Sequence, residues 1–254
     1  MPNKRLFMPS ASEALEDNLI LWLDANNSNS YTGSGSTWFD VSGNNYDAEI
    51  TTSVPSTGTV NGATYLNLST RADYFKIPSS VHGGALSPKS GKTLTYLFWV
   101  RLPSISSGVG GLNVFLEAKN ASNYNHAYCR YYKPGVQGFN FFIYDTTPSA
   151  DINSGYVASI NTTDWFMLVL VFDYPANNFQ LHRYQPNTTT YNNTALGNVS
   201  PQPTADTDIY LFSSPLSVYG GYGYLGEIRM YDTTFTTSEL DAKYNAQKGK
   251  YGIS

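Results

Sequence analysis

The sequence predicts an all-β fold, a two-sheet antiparallel β-sandwich with one short C-terminal helix, and three observations lead there. Its apolar segments are short, rich in β-branched and aromatic residues, and separated by Gly, Asn, Ser, Thr and Pro, which is the pattern of strands and turns. Charged residues make up only 13% of the 254 while aromatic residues make up 15%, so the low-hydrophobicity, high-charge signature of disorder is absent. A single cysteine, Cys129, leaves stability to packing and sheet pairing rather than to disulfides. A chain of this length buries roughly three-quarters of its unfolded surface in one core. One domain over residues 18–254 is therefore expected, preceded by an arm at 1–17 that lacks strand pattern.

Strands are expected at 19–24, 46–50, 64–68, 74–77, 93–101, 113–118, 124–132, 139–144, 165–173, 178–184, 208–212 and 224–231. The runs LTYLFWV (94–100) and WFMLVLVF (165–172) are apolar at both parities. They read as central strands that need cover on both faces. The run 124–132 alternates instead: Ala127, Cys129 and Tyr131 share one face, and His126, Tyr128, Arg130 and Tyr132 share the other. Cys129 is read as a core residue. Pro134 and Gly135 in the following link predict a hairpin to the next strand. Near the C-terminus, Thr236 and Glu239 form a capping box ahead of a helix with Leu240 and Tyr244 on one face, ended by Gly249.

Net charge is −4, and the Lys and Arg residues are scattered, which argues against a nucleic-acid partner. The longest apolar window, 165–172, has eight residues, far short of the ~20 of a membrane helix, so no membrane insertion is expected. The N-terminus carries no apolar stretch of signal-peptide length. Asn-x-Ser/Thr triplets at Asn67, Asn161, Asn187 and Asn198 carry little weight in a chain so rich in these residues.

Four segments, in order, resemble the concanavalin A-like, laminin G-like jelly-roll superfamily. LILWLDA (19–25) with TWFDVSGNNYDA (37–48) resembles its opening strand and turn. ATYLN (63–67) with DYFKIP (73–78) is similar to its next strand pair, and WFMLVLVFD (165–173) to a central strand. YLGEIRMYD (224–232) with Ser238, Glu239 and Leu240 resembles its closing strand and helix. The resemblance spans about residues 18–247 and implies a jelly-roll β-sandwich. It also implies the company such modules keep, in bacterial surface proteins and in structural proteins of phage and viruses. Location in a virion or on an extracellular surface follows as an expectation, with other virion proteins as partners through the arm (Lys4, Arg5, Phe7) or strand faces. A cell-surface glycan and a homo-oligomer are further expected partners.

Glycosidases of this superfamily carry two carboxylates two or three positions apart on one strand, at the separation that retaining hydrolysis needs. No Glu-x-Asp-x-Glu or Glu-x-Asp-x-x-Glu run occurs among the six Glu residues (13, 16, 49, 117, 227, 239). Only Glu117 and Glu227, on different strands, stay as candidates, and Glu227 also reads as a neighbour of Arg229 beside a core stripe. His82, His126 and His182 lie in no triad or zinc motif. Asp40, Asn44 and Asp47 cluster hard oxygen ligands that suit either calcium or a tight turn; no other cofactor is expected. Asp145, Asp151, Asp206 and Asp208 lie in other loops and do not discriminate.

The face His126, Tyr128, Arg130 and Tyr132, extended by Asn140 or Phe142 and by Tyr222 in a Gly- and Tyr-rich run, combines stacking rings with hydrogen-bonding groups. It suits a sugar platform, a protein interface or a plain strand surface alike. The expected function is a non-enzymatic binding or assembly module, a virion structural or decoration protein with a glycan-attachment role. A free lectin-like module and a glycoside hydrolase are the alternatives.

Overall fold

A computed structural model describes residues 17–50, 54–68, 74–102, 112–120, 125–132, 138–143, 152–153, 164–186, 191–194, 203–212 and 223–254; the predicted arm lies outside them. In chain order the strands are β1 (Leu19–Asp24), β2 (Thr37–Trp38), β3 (Ala48–Ile50), β4 (Ser56–Val60), β5 (Ala63–Leu68), β6 (Phe75–Ile77), β7 (Thr93–Arg101) and β8 (Leu112–Lys119). They continue as β9 (Asn125–Tyr132), β10 (Gly138–Ile143), β11 (Ile152–Asn153), β12 (Phe166–Asp173), β13 (Asn178–Tyr184), β14 (Tyr191–Thr194), β15 (Asp208–Leu211) and β16 (Gly223–Tyr231). Helices are α1 (Ser79–His82) and α2 (Thr237–Gln247), the latter continued by a 3₁₀ turn at Lys248–Tyr251.

The strands form two antiparallel sheets, as the sequence predicts. The first runs β14-β13-β12-β7-β16-β5-β4 with β1 also paired to β16, and the second runs β11-β10-β9-β8-β15-β6-β3-β2. Their inner faces meet in one core, with Leu21, Phe98, Leu168 and Ile228 from the first sheet against Phe75, Leu116, Cys129 and Ile209 from the second. Cys129 is fully buried there, and the β9–β10 hairpin forms with Cys129 opposite Phe141. Its thiol is pushed up by burial, which makes it unreactive.

Strands β12 and β7 sit at the centre of the first sheet and account for the double-sided apolar runs. Their even positions, such as Phe98 and Leu168, enter the shared core. Their odd positions, Leu97, Trp99, Met167 and Val169, pack outward beneath Leu240 and Tyr251 of the C-terminal segment. Trp99 stacks on Tyr251 at 4.2 Å and on Tyr244 at 5.7 Å between ring centroids, and its indole N–H donates to Gln247 Oε1 at 2.6 Å. The C-terminal segment thus serves as a third layer.

Helix α2 carries the expected capping box, with Glu239 N–H donating to Thr236 Oγ1 and Thr236 N–H to Glu239 Oε2. It ends at Gln247 rather than at Gly249; Gly249 lies inside the 3₁₀ turn, and Gly252, at φ 69°, stops it. A Cβ at Gly252 would come within 2.6 Å of Asn61, so the close packing of the chain end requires glycine there.

Four strands escape the sequence reading: β2, β4, β11 and β14. They are the terminal strands of the two sheet paths. An edge strand pairs on one side only and is short and polar by design against aggregation, so it carries little of the apolar pattern by which strands are recognised.

Candidate functional site

The outer face of the second sheet carries an in-register row of charged and aromatic residues. Glu49 lies opposite Lys76, Lys76 opposite Tyr210, Tyr210 opposite Glu117, and Glu117 opposite Tyr128. The row arises from period-2 geometry: in each strand the flanking residues, such as Ala48 and Ile50 or Phe75 and Ile77, face the core. Its centre is closed from solvent, with Glu117 at 2%, Lys119 at 4%, Tyr128 at 6% and Tyr210 at 8% exposure. Glu117 Oε1 and Lys119 Nζ form an ion pair at 2.9 Å.

The rim is accessible. Lys76 Nζ pairs with Asp208 Oδ2 at 2.9 Å, the two side chains being 29% and 26% exposed, and Glu49 is exposed. Burial pushes the Asp208 carboxyl up, yet the bond from Ser79 N–H (2.7 Å) and the Lys76 ammonium outweigh it and hold it below its usual range. Tyr74 meets the Tyr210 ring edge-on at 5.7 Å. The Arg130 guanidinium, half-buried, lies 5.7 Å from the Tyr128 ring centroid, a cation–π contact. Beyond Tyr128 and Arg130 the next backbone positions across the sheet are Phe142 and Asn140.

Of the residues the sequence singled out, Tyr128 and Arg130 fall on this face. The side chains of His126, Tyr132, Asn140 and Phe142, and the whole of Tyr222, lie outside the described part of the structure. Glu49, Lys76 and Tyr210 were missed because no local motif marks them; strand register alone brings them to Glu117.

Glu117 and Glu227 do not converge. Glu117 is on the outer face of the second sheet, whereas Glu227 is on the outer face of the first, with the core between them. The two residues left as hydrolase candidates therefore do not meet at one site, and Glu227 pairs with Arg229 as its other reading expects. Glu227 is fully buried and its two oxygens are surrounded by donors. Trp22 Nε1–H at 2.9 Å and the Arg229 guanidinium reach Oε1, while Lys250 Nζ at 2.7 Å and the Tyr251 hydroxyl at 3.1 Å reach Oε2. Lys250 also donates to Asp24 Oδ2 at 2.7 Å, and the Arg229 guanidinium stacks over the Trp22 ring at 4.5 Å. Burial opposes the charge on Glu227, yet Arg229 and Lys250 outweigh it and hold its pKa at about 2. Burial, reinforced by the Glu227 charge, raises Asp24 to about 6.

At the Asp40 turn, the carboxylate accepts four bonds. Trp22 N–H (2.9 Å) and Ser42 N–H (2.9 Å) reach Oδ1, and Tyr46 N–H (3.0 Å) and Ser42 Oγ–H (2.9 Å) reach Oδ2. Asp47 Oδ1 accepts from Asp40 N–H at 2.8 Å, and Asn44 Nδ2–H donates to Ile20 O at 3.1 Å. These residues clamp β1 to its following turn. Among the described residues no group of three or more His, Cys, Asp or Glu side chains is placed to hold a metal ion.

No protein-family model matches the chain, and no curated protein sequence does. Solved structures do. A Trypanosoma rangeli sialidase in complex with the inhibitor DANA superposes with a TM-score of 0.59 at 13% identity, covering 91% of this chain and 33% of the sialidase. Domain 4 of AbnA, a GH43 extracellular arabinanase from Geobacillus stearothermophilus in complex with arabinotriose, gives 0.59 at 16% identity, covering 89% and 97%. A botulinum neurotoxin type C structure, from work on the dependence of its cell entry on two ganglioside molecules, gives 0.62 at 12% identity, covering 91% and 51%. The chain thus has the β-sandwich fold of these proteins and spans about a third of the sialidase's length.

Proposed function

We propose that this chain is a non-catalytic carbohydrate-recognition module whose site is the outer face of the second sheet. The observation that carries the reading is the buried Glu117–Lys119 pair set between Tyr128 and Tyr210. A buried ion pair is a poor source of stability. Its position on an outer sheet face, away from the shared core, speaks for a ligand. The closed centre underlies a partly exposed rim, where the Tyr74 ring can receive the apolar face of a sugar and the Lys76, Asp208 and Arg130 groups can bond hydroxyls. The partly exposed rim of Lys76, Asp208 and Arg130 is where a ligand reaches this face.

The neighbours in fold support the same class, since one was solved with arabinotriose and another is described by its interaction with gangliosides. Hydrolysis is less well supported, because Glu117 and Glu227 stand on opposite outer faces and each is neutralised by cations.

A finer role, as a structural or decoration protein of a virus or phage particle that attaches to a host glycan, rests on the resemblance of the opening motif. Mass spectrometry of purified particles tests it, and absence from them would leave the free lectin-like module. Glycan-array binding tests the recognition role. At least one glycan should bind, and Tyr128→Ala or Glu117→Gln should weaken it by about tenfold, the worth of one good polar or stacking contact. A silent array, or variants that bind like wild type, would overturn it. Repeating the array in a calcium chelator should leave binding unchanged, because the Asp40 oxygens already accept four protein donors.

A further inference from the structure

Beside the cover that α2 and the 3₁₀ turn give the outer face of the first sheet, a cleft of about 360 Å³ opens between β12, β13 and the loop into α2. This volume lies within the roughly 300–1,000 Å³ of small-molecule sites. Its floor is Val171 and its walls carry Asp173, Asn178, Gln180, Phe235 and Glu239. It is a different place from the Glu117 row, on the opposite outer face of the sandwich.

Three of these side chains are held by one polar atom and keep a second one for a ligand. Both bonds to Asp173, from Ala176 N–H at 3.3 Å and Thr93 Oγ1–H at 3.4 Å, fall on Oδ1. Both bonds from Thr236 to Glu239, at 2.7 and 2.8 Å, fall on Oε2. Gln180 Oε1 accepts from His182 Nε2 at 2.8 Å, which orients the amide and leaves its NH₂ group as donor. His182 is buried and its pKa is lowered to about 4 by that burial, so near neutral pH it is an uncharged imidazole whose Nε2–H fits this bond. Phe235 is fixed as well, edge-on to Tyr231 at 4.9 Å and beneath the Lys243 ammonium at 4.4 Å.

Two preset acceptors, a preset amide donor and an aromatic side are the chemistry of a polyhydroxyl ligand. Asp173 and Glu239 are the charged groups of the lining, so the cleft disfavours anions. At the N-terminus of α2 the capping box already occupies the Thr236 and Glu239 amides. We infer that this cleft is a saccharide site selective for neutral sugars; together with the site proposed on the second sheet it would make the module bivalent across its two outer faces. The inference stands apart from the site on the second sheet, and either can fail while the other holds.

Saturation-transfer NMR on the intact chain tests it, with lactose, cellobiose and maltose as neutral probes and sialyllactose as the anionic one. At least one neutral disaccharide should receive saturation, more strongly than sialyllactose. The signal should fall by about tenfold in Asn178→Ala, which removes a lining amide, and in Thr234→Arg, which fills the cleft and keeps the described bond to the Thr234 carbonyl. It should survive in Tyr128→Ala. Unchanged melting curves would establish that the variants fold. Three results would overturn the inference: no transfer to any neutral probe in wild type, full transfer in both cleft variants, or loss in Tyr128→Ala alone. If the two cleft variants melt early, the same transfer in Phe235→Ala decides, by falling or by persisting.

Discussion

Each sheet carries a buried glutamate on its outer face, and the two are held in different ways. Glu227 is gripped by donors from three parts of the chain: Trp22 on β1, Arg229 on its own strand, and Lys250 and Tyr251 from the C-terminal turn. It fastens the third layer to the sheet. Glu117 pairs with Lys119 two residues along the same strand, so that contact ties no separate element down. The same side chain at the same burial is a clasp on one face and part of a candidate recognition surface on the other. Glu227 has described partners distant in sequence, whereas the described ion pair of Glu117 is with a neighbour on its own strand.

The sharpest way to break this contrast is Glu227→Ala, which removes the carboxylate shared by Arg229 and Lys250 and leaves Lys250 only Asp24. It should cost about 3–5 kcal/mol, the range for removing one partner of a buried pair, read as a drop in the denaturant midpoint. Gly226→Ala probes the same clasp sterically. A Cβ there would meet the Tyr251 ring at 2.7 Å and Trp165 at 3.2 Å, and overpacking of this kind costs about 1–3 kcal/mol.

The pH profile sharpens it further. Asp24, raised to about 6 from 3.8, contributes stability that is present at low pH and lost as pH rises through 6. Glu227, lowered to about 2 from 4.5, contributes stability that is lost as pH falls below 4.5. His182, lowered to about 4 from 6.5, likewise loses stability as pH falls below 6.5. Asp24→Asn should therefore remove a stabilising contribution between pH 7 and pH 5 and steepen the acid-side decline, as followed by thermal melts across that range.

Thr236→Ala should cost about 1 kcal/mol, the usual worth of an N-cap, because α2 is also held by the stacking of Tyr244 on Trp99. On the other face, the double change Glu117→Gln with Lys119→Met should alter stability least, by less than about 1 kcal/mol, since apolar or neutral replacement of a buried pair is often neutral. It should still abolish glycan binding. A large loss of stability there would make Glu117 a clasp like Glu227 and erase the comparison.

Much of the sandwich was legible in the chain. The two-sided runs at 94–100 and 165–172 announced central strands covered twice, and alternation at 124–132 put Cys129 inside and Tyr128 outside. The edge strands β2, β4, β11 and β14 were not legible, because a strand paired on one side needs no apolar signature. The cover over the first sheet was half legible: Leu240 and Tyr244 marked one face of a helix, but nothing local linked Lys250 to Asp24, 226 positions away.

The sequence by itself determined which residues face in and which face out, since parity within a strand is a local property with period 2. It also determined the C-terminal cap, whose bonds span three residues. Only the tertiary structure decided which outward residues stand beside one another. Register between strands far apart in sequence set Glu49, Lys76, Tyr210, Glu117 and Tyr128 in one row, and sent Glu227 to the opposite face with its own cations. Side-chain direction follows from the strand alone, whereas neighbourhood follows from packing the whole chain into two sheets.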